Sequence, residues 1–427
     1  MIFNRPLTFE EKKSSRHNYS LYNIVNGASY MCLGETVLIL LAVQLKCSDT
    51  VVAILGSMQY VGFLLLPLGK IMTARTGAAG SQAQFWVYRN LAVLIVAAAV
   101  PASLWISKEL AVILLLSGAF LFYGFRAAGV VMSQPLIGEI CESASRGQFI
   151  SSSAGLFYLT GSLALIVITL LMRISSSIWI LFLVIVAGAA LGITSSRFIR
   201  NIHETDRIQR SAREPVWNKL GKVLKLQVIR RQIIAGMIGY LGYMLTIPLS
   251  MLALKRGFCV SDTNALLFAL IQFGAAAGAG FLQGKIADRY GARKMLIAAY
   301  GCFLIVSLLW ALSPDRLLPF YHVLIFPIGA YGYIGTGNAL AQYYLETVPL
   351  KLQIVSSIVI SISTGVFSGL LSMGIASVLL KLAAVLNSGE QPFTTYRIYF
   401  LMLVCLLPVL GLLVWRLPDA SKKHSGK

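Results

Sequence analysis

The chain has 427 residues, of which 57% are hydrophobic and 12% are charged, and its mean hydropathy is +0.77. A membrane-spanning helix needs about 20 mostly apolar residues, and such stretches recur throughout the sequence. These properties exclude a soluble globular protein and leave no room for a large soluble domain. The formal net charge of +20 does not indicate nucleic-acid binding, because the basic residues cluster in loops on one side of the predicted membrane.

The apolar stretches predict twelve transmembrane helices, because a spanning segment must satisfy its backbone hydrogen bonds internally. Residues 1–19 are polar and charged, so the first span is predicted to be a retained helix rather than a signal peptide. The predicted spans lie near 20–45, 50–69, 86–107, 109–133, 149–172, 176–196, 232–253, 262–283, 294–313, 317–344, 353–382 and 396–416. The sequence therefore predicts an all-α polytopic membrane protein.

Most Lys and Arg residues lie in the two termini and in alternate loops, which predicts that both termini are cytoplasmic. The predicted domains are an N-terminal bundle (1–196), a basic cytoplasmic linker (197–231) and a C-terminal bundle (232–427). Apolar residues recur at helical spacing from Trp217 to Val228, so the linker is predicted to carry an interfacial helix, with a solvated basic linker as the alternative. The compact termini favour a bacterial inner membrane.

Two pairs of short segments repeat between the halves. Residues 48–50 (SDT) lead through an apolar run to 69–71 (GKI), and residues 261–263 (SDT) lead through another to 284–286 (GKI). This pattern indicates an internal duplication. In so apolar a chain, it predicts a transporter whose two helical bundles rock about a central site.

The loop at 284–294 reads GKIADRYGARK. It resembles the signature loop of the major facilitator superfamily, G-x-x-x-D-[RK]-x-G-x-[RK]-[RK], at every defined position. The resemblance extends over the whole chain in its predicted spans, two halves and basic central loop. It implies two pseudo-symmetric six-helix bundles and a cytoplasmic gate formed by Gly284, Asp288, Arg289, Gly291 and Arg293.

The first half departs from this signature, because Thr73 stands where the motif has an acid. A partial substitute follows the fourth span, where Glu139 and Arg146 have the E-x6-R spacing found in many members of the superfamily. The resemblance therefore implies that Glu139 and Arg146 also belong to the gate, with solvation among lipid headgroups as the alternative.

Two charged residues are predicted near mid-membrane, Glu35 in the first span and Arg126 in the fourth. Each costs between about 2.5 and well over 10 kcal/mol there unless it faces a wet cavity or a partner. In the superfamily the first, fourth, seventh and tenth helices line the cavity, so the resemblance implies that Glu35 and Arg126 share it. We expect Glu35 to couple protonation to transport and Arg126 to hold an anionic or polyhydroxylic substrate group. The alternative is a permanent structural ion pair.

Polar side chains at helical spacing give further cavity candidates. In the tenth span, one polar stripe is formed by Tyr331, Gly335, Asn338 and Gln342. In the first span, Asn26 and Tyr30 lie on a different face of the helix from Glu35, and only one of these faces can point squarely at the cavity. The candidates are Asn26, Tyr30, Tyr123, Tyr240, Tyr243, Tyr331, Asn338 and Gln342.

These observations predict a secondary active transporter that moves a small polar organic solute, either anionic or neutral, by alternating access, with proton-coupled symport. A proton-driven efflux antiporter and a lipid flippase of the same fold remain as alternatives. The four His residues show no catalytic constellation and the six Cys residues no metal spacing, so no enzyme, cofactor or metal is predicted. The expected state is a monomer, with the bilayer, a small-molecule substrate and protons as its partners.

Overall fold

The computed structural model describes residues 2–47, 51, 55, 58–59, 61–142, 145–175, 177–214, 216–349, 352–387 and 392–416. The helices in the first half are α1 (Phe9–Leu33), α2 (Glu35–Gln44), α3 (Leu66–Trp105), α4 (Lys108–Val130), α5 (Ser133–Ile140), α6 (Arg146–Ile174) and α7 (Ile178–Arg200). The linker and second half contain α8 (Asp206–Arg213), α9 (Val216–Lys225), α10 (Gln227–Leu252), α11 (Asp262–Tyr290), α12 (Ala292–Ala311), α13 (Pro319–Thr347), α14 (Gln353–Ile362), α15 (Ser368–Leu386) and α16 (Pro392–Trp415).

Shorter elements join these helices. A 3₁₀ turn at Gly62–Leu65 precedes α3, and π-helical turns occupy Ala253–Gly257 and Ser363–Phe367. Strands β1 (Ile2–Phe3) and β2 (Glu204–Thr205) pair in parallel, with Ile2 opposite Glu204. The strand pair therefore ties the start of the chain to the linker.

The chain forms two compact units, each with its own apolar core. The first comprises Met1–Glu142, Leu156–Gly221 and Pro349–Ser361, and the second comprises Ser143–Gly155, Lys222–Val348 and Ile362–Lys427. Leu33, Leu38 and Phe122 lie in the core of the first unit, and Phe303, Trp310 and Phe400 lie in that of the second. The predicted division at 196 and 231 stays a prediction.

Eleven helices in the described part of the chain are long and apolar enough to cross a membrane. One candidate, Gly62–Trp105, has 44 residues, or about 66 Å at 1.5 Å per residue, roughly twice the hydrocarbon thickness of a bilayer. It bends at Gly77, where φ is 79° and ψ is 177°. The segment therefore contains two helical legs, 62–76 and 78–105, and the predicted all-α polytopic fold is confirmed.

The helix that contains the third predicted span begins before residue 86, the predicted start of that span. Residues 78–81 (AAGS) already continue the helix beyond the bend. Ala, Gly and Ser contribute little hydropathy, so an apolar pattern places the boundary too late. Arg89, which lies near the edge of the predicted span, is therefore well inside the helix.

The first membrane helix is discontinuous. α1 ends at Leu33, Gly34 is extended at φ −72° and ψ 175°, and α2 begins at Glu35. The Gly34 carbonyl accepts hydrogen bonds from the N–H groups of Val37 at 3.1 Å and Leu38 at 3.2 Å. Non-helical backbone at membrane depth is tolerated where protein or a cavity surrounds it, which makes this break a feature of the interior.

The linker carries two helices rather than one. α9 spans much of the segment predicted to be helical, and α8 precedes it. The side chains of residues 215–220, including Trp217, lie outside the described part of the structure. The interfacial position of α9 therefore stays a prediction.

Candidate functional site

The first unit buries an arginine, Arg89, on α3. It lies twelve residues after the bend at Gly77, about 18 Å along a helical leg that continues to Trp105. Its side chain is 0% exposed, and its Nη2 donates a hydrogen bond to Oδ1 of Asn26 at 3.0 Å. The guanidinium carbon lies 4.5 Å from the ring centroid of Trp86 and 5.3 Å from that of Phe122. Aromatic faces attract the cation and hold it between α3 and α4.

The remaining donors of Arg89 are not satisfied by the residues that the structure describes. Its Nε and Nη1 atoms are buried without a hydrogen-bond partner in the described structure. No described carboxylate forms an ion pair with Arg89. A buried, incompletely hydrogen-bonded charge is costly.

Arg126 lies one helical turn away. Its guanidinium carbon is 4.7 Å from the ring centroid of Tyr30. Tyr30 follows Asn26 by one turn of α1, and Arg126 follows Phe122 by one turn of α4, so the contacts of the two arginines are offset by about 6 Å along the helices. Two positive charges at this separation repel each other, and a bound anion would relieve that repulsion.

Amide and aromatic groups frame the arginines. Oδ1 of Asn26 also accepts the indole N–H of Trp86 at 3.0 Å, while Nδ2 of Asn26 donates to the Tyr22 hydroxyl at 3.3 Å. Gln82, one turn before Trp86, is 1% exposed and lies beside the Tyr22 hydroxyl. The site thus combines fixed positive charge, adaptable amides and flat apolar rings.

Of the predicted cavity residues, Tyr30 lies against Arg126, and Asn26, one turn earlier on α1, binds Arg89. Tyr123, predicted to line the same cavity, is buried with its ring 5.0 Å from that of Phe122. Glu35 begins α2, but its side chain lies outside the described residues. Its pairing with Arg126 therefore stays a prediction.

Arg89 is the site residue that sequence reasoning missed. The signal was present in a polar stripe at helical spacing, formed by Gln82, Trp86, Arg89 and Asn90, all of which are buried. The predicted third span starts near residue 86. It therefore leaves Gln82 in a loop and places Arg89 near the membrane interface, where an arginine is common.

The second unit has amides where the first has arginines. On α13, Nδ2 of Asn338 donates to Oγ of Ser151 at 2.9 Å, and Nε2 of Gln342 donates to Oε1 of Glu346 at 2.9 Å. The backbone carbonyl of Tyr331 accepts from Nε2 of Gln283 at 2.7 Å. The predicted polar stripe is therefore partly engaged in contacts within this unit, and Oε1 of Gln342 is buried without a described partner.

The predicted tyrosines of α10 lie within the same unit. Tyr240 and Tyr243 are both half-buried. The Tyr243 ring lies 4.3 Å from that of Tyr333 on α13, at an interplanar angle of 31°. The two helices therefore meet through stacked aromatic rings beside the α13 stripe.

The predicted gate loop of the second unit contains a bend between α11 and α12. Gly291 has φ 85° and ψ 153°, a conformation suited to glycine, and it separates the two helices. A Cβ on Gly284 would lie 2.4 Å from Cα of Gln148, so glycine permits α11 to approach α6. Nη2 of Arg293 donates to the Trp415 carbonyl at 2.6 Å, and the Arg289 guanidinium lies over the Tyr290 ring. The Asp288 side chain lies outside the described residues.

The first unit makes a corresponding bend at Gly77, and a carboxylate from the linker stabilises it. Glu204, which is 1% exposed, accepts hydrogen bonds from the N–H groups of Ala78 at 2.7 Å and Ala79 at 3.0 Å. These N–H groups begin the helical leg after the bend, where negative charge is favourable. Burial raises the pKa of the Glu204 carboxyl to about 7. Glu204 thus supplies an acid that the motif lacks at Thr73.

Lys70 forms a second contact between this bend and the linker. Its buried Nζ donates to the carbonyls of Ala212 and Glu214, each at 2.7 Å. These carbonyls lie at the C-terminal end of α8, where a cation is favourable. The linker therefore binds the bend in two ways: its Glu204 carboxylate accepts hydrogen bonds from the second leg of α3, and carbonyls at the end of α8 accept them from Lys70 on the first leg.

Glu139 also binds the linker. Its carboxylate accepts from the N–H of Thr205 at 2.7 Å and from the Thr205 hydroxyl at 2.5 Å. Arg146, at the start of α6, is half-buried and engaged in interactions of its own. Glu139 therefore binds Thr205, the residue that precedes α8.

Residues 19–373 match the family model of the Major Facilitator Superfamily. No curated protein matches the sequence. Among solved structures, the chain is similar to the proton:xylose symporter XylE of E. coli, with a TM-score of 0.72 and 14% identity over 96% of each chain.

Two further structures share the fold. A bacterial homologue of the iron transporter ferroportin has a TM-score of 0.69 and 16% identity over 93% of this chain and 98% of that chain. The human organic anion transporter MFSD10 has a TM-score of 0.65 and 13% identity over 93% of this chain and 99% of that chain. At these identities the likeness concerns the fold, and the family match covers most of the sequence. The chain therefore belongs to the major facilitator superfamily.

Proposed function

We propose that this protein is a secondary active transporter that carries a small organic anion across the membrane by alternating access. The observation that carries the proposal is the buried Arg89, whose Nε and Nη1 atoms lack a described partner. Carboxylate and phosphate groups match a guanidinium geometrically and electrostatically. The substrate is therefore expected to carry at least one of these groups.

Neighbouring residues define the rest of the substrate. Arg126, over the Tyr30 ring, supplies a second positive charge one turn away. Trp86 and Tyr30 offer apolar ring faces to the organic part, and Asn26 offers an amide beside the anionic group. The organic anion transporter MFSD10 has the same fold, but so does the xylose symporter XylE. The substrate class therefore rests on the arginines rather than on the fold.

Proton coupling is proposed to depend on Glu35. The break at Gly34 makes Glu35 the first residue of α2, on the helix that contributes Asn26 and Tyr30 to the site. Protonation of an acid within the membrane can be coupled to anion entry, because it changes the charge that the anion meets. Symport of the anion with protons also reduces the net negative charge moved.

The gate is proposed to be cytoplasmic and to include the bends at Gly77 and Gly291. Hydrogen bonds at helix ends can hold one arrangement closed and break in another. The excess of basic residues in the termini and linker supports a cytoplasmic location for both termini. We further propose a bacterial inner membrane and a monomeric state; labelling of terminal cysteines in intact and opened cells tests the orientation, and light scattering tests the state.

The decisive experiment is uptake into proteoliposomes of a panel of carboxylates, organic phosphates, neutral sugars and cations, with and without an inward proton gradient. Wild type is compared with Arg89→Gln, Arg126→Gln and Glu35→Gln, and with Arg173→Gln as a matched control at an exposed arginine in the last turn of α6. We expect only anions to be carried, both site arginine variants to lose uptake and the control to keep it. Glu35→Gln should lose the dependence on the gradient.

Thermal stability separates substrate binding from folding. A transported anion should raise the midpoint of wild type, since a ligand that binds the folded state stabilises it, but should not raise that of Arg126→Gln. Uptake of neutral sugars or cations that survives Arg89→Gln would contradict the anion proposal. Gradient-driven exit instead of entry would make the protein an antiporter.

A further inference from the structure

A groove on the surface of the first unit lies outside the arginine site. It has a volume of about 390 Å³ and lies between the two legs of α3 and helix α4. Its lining is Leu68, Ile71, Met72, Arg75, Phe85, Tyr88 and Phe125. Arg75 is the charged residue of the lining; the other residues are apolar or aromatic.

Several apolar residues of the groove are accessible. Leu68, Ile71 and Tyr88 are 40%, 54% and 41% exposed. At the other wall, the Phe125 ring lies 5.8 Å from that of Tyr88 and 6.1 Å from that of Phe85. An exposed apolar surface on a membrane helix meets acyl chains, so one acyl chain can occupy the groove.

Positive charge is concentrated at one end. Arg75 is exposed near the end of the first leg of α3. Nε of Arg213, on α8, donates to the backbone carbonyl of Ala74 at 3.2 Å, and Nε2 of Gln209 donates to that of Arg75 at 3.0 Å. The linker thus places a second exposed guanidinium beside Arg75, at the membrane surface where headgroups lie.

The length of the groove fits one leaflet. Tyr88 lies eleven residues after the bend at Gly77, about 16 Å along the helix, and half of a hydrocarbon core is about 15 Å. The groove therefore runs from the headgroup level beside Arg75 to about the middle of the bilayer. A small anion without an acyl chain would bind the arginines but would make no contact with the apolar walls of the groove.

We propose that this groove binds an anionic phospholipid of the leaflet on the linker side, with its phosphate at Arg75 and Arg213 and one acyl chain against Met72, Phe85 and Tyr88. Charge complementarity and the apolar length together select this occupant. The binding site is separate from Arg89 and Arg126, and the inference does not depend on the identity of the transported solute.

Native mass spectrometry of the full chain, titrated with phosphatidylglycerol or phosphatidylcholine, tests the headgroup. We expect wild type to retain phosphatidylglycerol preferentially, and the double variant Arg75→Gln/Arg213→Gln to bind it at least about fivefold more weakly, since each basic residue near the surface contributes to the attraction. Arg200→Gln, at an exposed arginine in the last turn of α7, is the matched control and should bind as wild type does.

Two further measurements test the place of binding. Met72→Trp should fill the groove and lower phosphatidylglycerol binding, whereas Leu94→Trp, at an exposed α3 position outside the lining, should not. Phosphatidylglycerol with a photoreactive acyl chain should label residues 68–72 and 85–88. Equal retention of both lipids by wild type, undiminished binding in the double variant, or labelling elsewhere would overturn the proposal; thermal midpoints near that of wild type verify that the variants are folded.

Discussion

The two units differ in where they bury charge. Among the described residues, the buried Lys, Arg, Asp and Glu side chains are Lys70, Arg89 and Glu204, and all three belong to the first unit. At the matching bend of the second unit, Lys285 and Arg289 are exposed. Burial of charge is expensive unless it is compensated. Among the described residues, the first unit therefore holds buried charges through hydrogen bonds to backbone groups and to Asn26, whereas the second relies on amides and aromatic packing.

The sharpest test of this difference compares Arg89→Gln with Asn338→Ala. Loss of Arg89 removes the unsatisfied donors of the proposed anion site and should lower transport at least about 30-fold, corresponding to about 2 kcal/mol for hydrogen bonds to a charged group. Asn338 makes one neutral hydrogen bond to Ser151, so its loss should cost only about 1 kcal/mol. Initial rates of uptake in proteoliposomes measure both. Equal losses of uptake rate in Arg89→Gln and Asn338→Ala would show that the two units contribute equally to transport.

The two bends allow a second comparison. A Cβ on Gly77 would lie 2.5 Å from Oε1 of Glu204, whereas a Cβ on Gly291 would meet nothing within 4 Å. Gly291→Ala should therefore cost only backbone strain, about 1 to 2 kcal/mol, and Gly77→Ala about 3 kcal/mol because a steric conflict is added. Unfolding in mixed detergent micelles gives both values. If Gly77→Ala remains as destabilising when Glu204 is also changed to Ala, the conflict with Glu204 is not the cause.

Lys70 and Lys285 follow Gly69 and Gly284 at corresponding places in the repeat. Lys70→Met removes two hydrogen bonds from the end of α8 and should weaken the local stability of α8 by about 2 kcal/mol. Amide hydrogen exchange in Asp206–Arg213 should then become about 30-fold faster. Lys285→Met, at an exposed position, should leave exchange unchanged. Similar exchange in Lys70→Met and wild type would mean that α8 docks without this contact.

A further expected difference is the pH dependence due to Glu204. Its pKa in the folded protein is about 7, raised by burial above the ordinary value of 4.5. A raised carboxyl pKa gives a stability contribution that is complete below the unfolded pKa and is lost as pH rises through 7. Between pH 6 and pH 8 the loss should be about 1.4 kcal/mol.

Glu204→Gln cannot titrate, so it should lack this part of the pH dependence while retaining hydrogen-bonding capacity. Thermal midpoints measured in detergent at pH 6, 7 and 8 provide the comparison with wild type. Parallel curves for the two proteins would contradict the assigned titration.

Sequence patterns predicted the architecture well, because hydropathy and the repeated loop report features that the bilayer imposes on every spanning helix. The motif at 284–294 led to the family, and Arg126 was correctly placed inside a helix. Arg89 was missed because small residues after Gly77 hid the start of its helix. The linker contacts could not be predicted: Thr73 marks a missing acid, but only tertiary structure shows that Glu204, far along the chain, approaches the bend.

The pairing of Ile2–Phe3 with Glu204–Thr205 has a consequence for biosynthesis. The first strand leaves the ribosome long before its partner, which is made only after α7. Insertion of the early membrane helices must therefore precede closure of the amino terminus onto the linker. Domains that fold during synthesis generally form in order from the amino terminus. An affinity tag placed directly before Ile2 would move with the first strand when it pairs with the linker. The tag would then lie near Gly77, at the start of the second leg of α3.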